Sequence, residues 1–327
     1  MCASNSETKN YLAIATDPLH IGAGSARLAR VDLPIAREPG TNLPKVPGPG
    51  VSGPARAYTA LATSRYRWKE GKDEYLCAGS GGPGGEKHCG RPDPACPVCI
   101  PYGFSKGTGS MQGLAQFFDA HILFFPVASM SGPLWVTSPT ALSGPGVDRE
   151  IPDPEKCFLP LGAQLKKGGQ RLNFGWLMLS KSNKDNNDVS EQIDTITGLP
   201  ETIKTKSVLV SDKLFSQIVN NNLEVRTSVS IDPATGAAED KALFTYEALP
   251  RGTVLRFDVQ YNPGYTYRIN KKELKTEDGG EVGSSWVKVQ VEKGLKLFAS
   301  LGIGGMNTRG MGRLKVLNLG EEAAGNE

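Results

Sequence analysis

The sequence has no apolar run long enough to cross a bilayer, and its first ten residues, MCASNSETKN, lack the basic and apolar parts of an export signal. We therefore expect a cytoplasmic protein that has no membrane partner. The GxxxxGK[ST] order of a Walker A motif is also missing, which argues against ATP hydrolysis. No repeat occurs at solenoid or propeller spacing, so the fold is not a stack of repeats.

Histidine is scarce, with three residues, and the net charge of +3 on 327 residues excludes a wholly basic, histone-like protein. Glycine and proline, by contrast, are abundant at 39 and 23 residues and indicate many turns and long loops. Hydrophobic residues make up 39% of the chain, which is ample for a core. The length alone fits one elaborated domain or two.

Positive charge is concentrated in residues 24–69, which we call the basic segment. It carries eight basic residues against two acidic ones, Asp32 and Glu38. The basic residues are Arg27, Arg30, Arg37, Lys45, Arg56, Arg65, Arg67 and Lys69. Such clustering is typical of a phosphate-binding surface, and a solvated basic face is the alternative.

Hydrophobic patterns predict an α+β fold around an antiparallel sheet. A proline-rich loop that holds Asp32 separates the first strand from the first helix. A glycine turn divides residues 224–250 into the two strands of a long β-hairpin. The other predicted elements are a strand at 11–21, a helix after Gly53, strands at 117–126, 134–137 and 254–261, an amphipathic helix at 285–301 and a strand at 313–319.

Residues 301–315, LGIGGMNTRGMGRLK, form a glycine segment with five glycines and no acidic residue. Glycines leave backbone N–H groups accessible and permit positive φ, so the segment can cradle a phosphate. Arg309 and Arg313 would add charge to such a cradle. A tight connection between a helix and a strand explains the same pattern.

The stretch at about 70–110, which we call the cysteine segment, is rich in glycine, proline and cysteine and has too few apolar residues for its own core. It contains a CxxC pair, the usual corner of a tetrahedral zinc site. The candidate ligands are Cys77, Cys89, Cys96 and Cys99, with His88 as an alternative. Four protein ligands would make such a zinc structural, and free thiols in a mobile insertion are the other interpretation.

Six motifs lie in order along nearly the whole chain. They are PLHIGAG (18–24), RVDLPIAREPGTNLPKVPG (30–48), CPVCIPYG (96–103), FFDAHILFFPV (117–127), VRTSVSIDPATGAAEDKALFTYEALP (225–250) and GIGGMNTRGMGRL (302–314). Together they resemble the RAMP backbone subunits of type III CRISPR effector complexes, and most closely the fourth subunit of the Cmr (type III-B) module.

The resemblance implies a single RAMP domain over 1–327. It has a ferredoxin-like, RRM-type palm, with the cysteine segment as an insertion and a β-hairpin thumb at about 224–250. It also implies an antiviral ribonucleoprotein subunit that binds guide (CRISPR) RNA and polymerises along it with copies of itself and other subunits. Each thumb would splay one nucleotide of the complementary target RNA, and the target would be cut at regular intervals.

The family's catalytic aspartate falls on Asp32. A splayed nucleotide can align its 2′-hydroxyl with the adjacent phosphate. A carboxylate there can take the hydroxyl proton or hold Mg²⁺ or another divalent cation. Without the resemblance, a lone aspartate in a proline-rich loop is typical of a turn or cap residue.

RNA contacts are expected from the first strand, the Asp32 loop, the hairpin and the glycine segment. Where the family has a serine-rich turn with a lysine, this chain has GPGVSGPAR (48–56), so Lys45 and Arg56 are candidate replacements. The predicted RNA-binding residues are His20, Arg37, Lys45, Arg56, Arg226, Arg309 and Arg313. His121, in an apolar run, is interpreted as a core residue.

Two other functions stay open. A purely structural backbone subunit would bind guide RNA and polymerise but would need no carboxylate at Asp32. An endoribonuclease that processes guide precursors would need an acid–base residue near a stem-loop pocket, and His20 is the only candidate. For the target RNA, specificity should lie in base pairing with the guide.

Overall fold

The computed structural model describes residues 6–24, 31–107, 109–144, 153–159, 171–182, 193–238, 243–269 and 272–320. Arg27 and Arg30 of the basic segment lie outside the described residues. None of the helices within these ranges has the length and apolarity that would let it span a lipid bilayer.

Short strands outnumber helices in the described chain. The strands are β1 (Glu7–Ala15), β2 (Lys45–Val46), β3 (Trp68–Glu70), β4 (Asp73–Tyr75), β5 (Phe104–Lys106), β6 (Gly109–Met111), β7 (Ala115–Phe117), β8 (Ala120–Val127), β9 (Leu134–Thr137), β10 (Lys156–Cys157), β11 (Arg171–Phe174), β12 (Leu177–Lys181), β13 (Ser207–Leu209), β14 (Glu224–Ser228), β15 (Phe244–Ala248), β16 (Val254–Tyr261), β17 (Arg268–Ile269), β18 (Lys272–Glu273) and β19 (Leu314–Val316). The α-helices are α1 (Gly48–Ala62), α2 (Cys99–Tyr102), α3 (Pro139–Ser143), α4 (Glu201–Thr205), α5 (Asp212–Asn221), α6 (Ser284–Lys296) and α7 (Phe298–Leu301).

The central sheet has the strand order β13, β9, β8, β16, β1 and β19. Neighbouring strands are antiparallel except β13 and β9, which are parallel. The ladder between β1 and β16 runs from Glu7 opposite Tyr261 to Ile14 opposite Val254. The predicted α+β fold with an antiparallel sheet is therefore confirmed.

Each face of the central sheet packs against its own hydrophobic core. Successive side chains of a strand point to opposite faces and so contribute to different cores. In β1, Tyr11 and Ala13 join a core with residues of α1 and α6, whereas Leu12 joins a second core with Phe124 on the opposite face. Helix α6 packs against both α1 and β16. This arrangement holds the two ends of the chain on adjacent strands, β1 and β19.

Several predicted boundaries are shifted. Strand β1 ends at Ala15 rather than at residue 21, and the helix predicted at 285–301 is divided into α6 and α7. Helix α1 begins at Gly48, before Gly53, because the Asp119 carboxylate accepts a hydrogen bond of 2.8 Å from the Gly48 amide. A Cβ at Gly48 would lie 2.5 Å from the Phe117 carbonyl oxygen, so this start requires glycine.

The predicted β-hairpin is confirmed in its described part. Strands β14 and β15 pair antiparallel from Glu224 opposite Ala248 to Ser228 opposite Phe244, and Ile231 bridges Ala238 further out. Residues 239–242 lie outside the described ranges. Large apolar side chains are exposed along this hairpin, namely those of Val225, Val229, Ile231 and Leu243.

The interpretation of His121 as a core residue is wrong. Strand β8 alternates at its start, so that His121 is exposed while Ala120 and Ile122 are buried. His121 lies opposite Lys45 of the short strand β2. His121 is therefore an exposed residue in a strand whose neighbours Ala120 and Ile122 belong to the core.

Candidate active site and metal centre

Asp32 is exposed at the point where its loop meets the base of the hairpin. One carboxylate oxygen, Oδ2, accepts hydrogen bonds from the Thr245 amide at 2.7 Å and from the Thr245 hydroxyl at 2.8 Å. The hydrogen bond from the Thr245 amide, reinforced by that from its hydroxyl, holds the pKa of Asp32 below its usual range. The Asp32 carboxylate is therefore ionised at neutral pH, and it is exposed to solvent.

The first part of the Asp32 loop (residues 31–44) is extended beside strand β15, and the loop turns back on itself at residues 38–43. The Leu33 amide donates to the Thr245 carbonyl at 3.0 Å, and the Glu247 amide donates to the Leu33 carbonyl at 3.2 Å. Further along, Gly22 bridges Ile35. Prolines disfavour a helix in the loop, so its backbone groups pair with these neighbours instead.

Arg37 connects the same loop to the hairpin and to helix α5. Its guanidinium lies 2.7 Å from the Glu247 carboxylate, in a pair whose side chains are only 15% and 10% exposed. It also donates to the side-chain oxygen of Asn220 on α5 and, at 3.2 Å, to the Asn42 carbonyl. Loop, hairpin and α5 are thereby joined through one side chain.

His20 is enclosed within the protein, with 6% of its surface exposed. Its Nδ1 lies 2.6 Å from the Glu247 carbonyl oxygen, and its ring meets the Tyr246 ring edge-on at 6.0 Å. The predicted RNA contact of His20 stays a prediction, and so small an exposed area leaves little of the ring for RNA.

The glycine segment packs directly against His20, in the segment that follows β1. The Gly305 amide donates to the His20 carbonyl at 2.9 Å, and a Cβ at Gly304 would lie 2.5 Å from that oxygen. Arg309 reaches the hairpin, because its guanidinium donates to the Ser228 hydroxyl at 2.8 Å and lies over the Phe244 ring. Close packing therefore accounts for glycine at 304, while Arg309 stays exposed.

Most basic residues named from the sequence are already paired within the protein. Lys45 lies between Asp119 at 2.7 Å and Glu38 at 2.8 Å, and the hydrogen bond with Asp119, followed by that with Glu38, raises its pKa. Arg226 pairs with Glu224, and Arg313 pairs with Asp17. Within the basic segment, Arg37 and Lys45 thus have carboxylate partners, and the RNA contacts of the segment remain predictions.

Arg56 fastens helix α1 to the cysteine segment. Its guanidinium donates to the Cys77 carbonyl at 2.9 Å and to the Gly103 carbonyl at 2.7 Å, and it lies 3.3 Å from Nδ1 of His88. These contacts explain an arginine here by structure alone. Whether Arg56 also contacts RNA stays a prediction.

Four cysteines converge inside the cysteine segment. The Sγ atoms of Cys77, Cys89, Cys96 and Cys99 all lie within 4.8 Å of one another, and the pairs in hydrogen-bond contact are 3.6 to 3.9 Å apart. Ligands at a Zn–S distance of about 2.3 Å in a tetrahedron are roughly 3.8 Å apart, so the donor set fits zinc. His88 lies outside this group, which corrects its prediction as an alternative ligand.

The cysteine segment has few apolar residues, and its four cysteines form a large part of its buried core. Cys77, Cys96 and Cys99 are buried together with Val98 and with Ala60 of helix α1. The Trp68 indole donates to the Cys77 sulfur at 3.4 Å. Sulfur atoms thus take the place of aliphatic side chains in ordering this part of the chain.

Sequence reasoning missed Thr245 and Glu247, which hold Asp32 and Arg37. One signal was available, because the strand FTYEA places these two polar residues on one face, alternating with buried Tyr246. Their partners lie more than 200 positions away, at 213 for Asp32 and 210 for Arg37. Strand periodicity alone therefore identifies the face but not the partner.

The α+β sheet, the hairpin and the glycine segment around an exposed carboxylate define a RAMP-type protein. The chain belongs to the RAMP superfamily, whose profile matches residues 13–315. It is 25% identical over 301 residues to the CRISPR system Cmr endoribonuclease Cmr4 of Pyrococcus furiosus, which covers 84% of this chain and 92% of that protein. The resemblance seen in the six motifs is therefore confirmed.

Solved structures with the same fold agree with this assignment. A crystal structure of Cmr4 covers 95% of this chain and all of its own, with 19% identity and a TM-score of 0.57. A chain of the type III-B Cmr-β complex bound to cognate target RNA covers 95% and 96%, with 14% identity and a TM-score of 0.60. Oligomeric Cmr4 from Pyrococcus furiosus covers 96% and 100%, with 20% identity and a TM-score of 0.57.

Proposed function

We propose that this chain is a guide-RNA-binding backbone subunit of a type III-B antiviral ribonucleoprotein and that it cleaves complementary target RNA. The exposed, ionised carboxylate of Asp32 at the base of the hairpin is the observation that carries this assignment. The name of the Pyrococcus relative, an endoribonuclease, supports the activity. The structure of a similar chain in a complex with target RNA supports the substrate.

The hairpin is the proposed thumb, and the central sheet is the proposed ferredoxin-like palm. Val229, Ile231 and Leu243 are 45%, 52% and 65% exposed on the hairpin, where apolar surface has no intramolecular use. Apolar wedges unstack nucleotides at a cost of about a few kcal/mol per step. The hairpin is therefore suited to splay one nucleotide of the guide–target duplex.

Splaying supplies the geometry for cleavage. In an A-form helix the 2′-hydroxyl is poorly aligned with the adjacent phosphorus, and an unstacked nucleotide can adopt the in-line arrangement. The 2′-oxygen then bonds to phosphorus, the 5′-oxygen leaves, and the products are a 2′,3′-cyclic phosphate and a 5′-hydroxyl. The proton lost from the 2′-hydroxyl balances the one gained by the leaving oxygen.

Asp32 serves this reaction by accepting the 2′-hydroxyl proton or by holding a divalent cation near the phosphate. Its lowered pKa makes it a weaker base, which counts against the first role, and the ionised carboxylate remains able to hold a cation. A bound Mg²⁺ would stabilise the charge that develops on the phosphate oxygens. Carboxylate oxygens are the ligands that Mg²⁺ prefers in proteins.

RNA contacts of the proposed subunit are to phosphates and shape rather than to bases. Arg309 and Arg313 present the most exposed guanidinium groups among the predicted contacts, beside the hairpin and at the end of the glycine segment. Arg37, Lys45, Arg56 and His20 are less exposed than these two arginines and are held by protein partners. We therefore assign them to the scaffold that holds the RNA-facing loops.

The cysteine group is proposed to bind a structural zinc ion. Four thiolates complete a tetrahedral shell, so no position is left for a substrate or a catalytic water. Within the complex, other subunits and copies of this chain are the proposed protein partners, and the cytoplasm is the proposed compartment.

The two rival functions are less consistent with the site. A purely structural subunit needs only an oxygen that accepts the two hydrogen bonds from Thr245, which an amide would supply, so it has no use for the exposed negative charge. A guide-precursor nuclease that relies on His20 would need an accessible ring, and this ring is 6% exposed.

The test is reconstitution of the chain with guide RNA and partner subunits, followed by incubation with complementary and scrambled RNA. We expect regularly spaced cuts only in the complementary RNA, and only before a chelator removes divalent cations. Cutting of free RNA by the isolated chain, or cuts without regular spacing, would contradict the proposal.

A further inference from the structure

Three hydrogen bonds join Thr245 to Asp32. The Thr245 hydroxyl accepts a hydrogen bond of 3.1 Å from the Asp32 amide and donates one of 2.8 Å to Oδ2 of the same residue. The Thr245 amide donates a third, of 2.7 Å, to that oxygen. The two residues are 213 positions apart, so only the folded hairpin brings them together.

Both hydrogen bonds to the carboxylate end on Oδ2. Among the described residues Oδ1 accepts no hydrogen bond, and the side chain is exposed. Two donors on one oxygen fix the plane of a carboxylate, whereas a carboxylate in water rotates. The second oxygen is thereby left for another ligand at a defined position.

The hairpin base and the Asp32 loop form one unit. Around the Thr245 contact, backbone hydrogen bonds join Leu33 to Thr245 and to Glu247. The Glu247 side chain then pairs with Arg37 of the same loop. Movement of strand β15 relative to the loop would break these contacts together and release the carboxylate.

We propose that Thr245 is a positioning residue, which holds Asp32 with Oδ1 available to the reacting RNA or its cation only while the hairpin base is seated on the loop. This role presupposes the proposed cleavage function. It ties the element that distorts the target to the group that promotes the cut. A threonine that merely stabilises the strand would leave the cleavage step unaffected once the complex has assembled.

The test uses four variants in the reconstituted complex with guide and partner subunits. Thr245→Val keeps the shape and removes the hydroxyl, and Thr245→Ser keeps the hydroxyl. Thr202→Val is the control for the same chemical change, because Thr202 is exposed on α4, outside the hairpin and the Asp32 loop. Asp32→Asn is the reference for a lost carboxylate.

Target binding and the single-turnover cleavage rate are measured for each complex. We expect Thr245→Val to slow cleavage about tenfold or more while target affinity stays within about twofold. Thr245→Ser should restore most of the rate, and Thr202→Val should match the wild type. Thr245→Val cleavage at the wild-type rate would overturn the inference, as would equal losses in Thr245→Val and Thr245→Ser or a parallel loss of target binding.

The reference variant separates this inference from the proposed function. If Asp32→Asn is inactive and Thr245→Val is fully active, only the positioning role fails. If Asp32→Asn itself cuts normally, the catalytic assignment fails and the role of Thr245 fails with it.

Discussion

At the residue scale, the site depends on charges whose partners are fixed by the fold. Arg37 and Glu247 lie below the exposed carboxylate, and their side chains are mostly shielded from water. A charge left alone in such a place cannot recover its hydration. The pair therefore contributes to the rigidity of the Asp32 loop more than an exposed ion pair contributes elsewhere.

We predict that Glu247→Gln destabilises the protein by about 1–3 kcal/mol, because the Arg37 guanidinium loses its charged partner. Urea unfolding of the isolated chain measures the change. The control is Glu273→Gln, which removes the exposed pair with Arg268 and should cost at most about 1 kcal/mol. Equal effects of the two substitutions would show that burial of the Arg37 pair is unimportant.

Single residues also show how far the sequence can predict the site. The four cysteines and Arg309 were identified because their types and spacing carry chemistry without knowledge of the fold, whereas Asp32 was assigned through the resemblance to the RAMP family. Arg56 and Lys45 were assigned to RNA because charge is visible in a sequence and its partners are not. Their partners, Cys77 and Gly103 for Arg56 and Asp119 for Lys45, come from separate strands and loops.

At the element scale, helices α1 and α6 approach closely at a glycine. A Cβ at Gly294 would lie 2.3 Å from the Ala55 carbonyl oxygen and 2.4 Å from the Thr59 hydroxyl oxygen. Glycine in a helix interior normally costs about 1 kcal/mol relative to alanine. Here the close packing of the two helices offsets that cost.

We predict that Gly294→Ala destabilises the protein by about 1–3 kcal/mol, despite the better helix propensity of alanine, because α1 must move away. Gly53→Ala is the matched control. Gly53 lies in α1, and a Cβ added there would have no atom within 4 Å, so its substitution should stabilise by up to about 1 kcal/mol. Thermal unfolding of both variants is the measurement, and stabilisation by Gly294→Ala would contradict the packing.

The cysteine segment is an element ordered by sulfur rather than by aliphatic burial. We predict one zinc ion per chain in protein produced with zinc present, and its loss in Cys96→Ser. Metal analysis and protease sensitivity of residues 70–110 measure the effect, because the segment should become cleavable without the ion. Cys157→Ser, outside the group, should keep the metal, and a zinc-free wild type with an intact segment would contradict the assignment.

Element boundaries were harder to predict than element types. The strand at 254–261 agrees with its sequence pattern because alternation continues along most of it. The described part of the hairpin agrees because a glycine turn separates its two strands. Helix α1 begins earlier than its apolar pattern because Asp119, which precedes a different strand, accepts the first amide hydrogen bond. Such a cap is a tertiary contact, which no local pattern contains.

At the scale of the whole molecule, the fold brings together segments from opposite ends of the chain. The segment that follows β1, the Asp32 loop, the base of the hairpin and the glycine segment meet through contacts of His20, Thr245 and Arg309. The hairpin extends from this junction with exposed apolar side chains. A repeated subunit of this design would place one wedge and one carboxylate at each step along the duplex.

Because the subunits repeat along the duplex, the spacing of the cuts should depend on the distance between subunits and not on the RNA sequence. The net charge of +3 is small, so recognition cannot rest on overall attraction to phosphates. Pairing with the guide selects the target, and the distance between successive subunits sets the distance between cuts.

The most direct measurement is cleavage of a complementary RNA by complexes assembled with wild-type chain or Asp32→Asn, with Mg²⁺ present and target binding measured alongside. We predict that the variant complex binds the target normally and produces none of the regularly spaced cuts. If the variant binds and cuts as well as the wild type, the carboxylate of Asp32 is not catalytic and this chain is an RNA-binding scaffold whose complex cuts elsewhere.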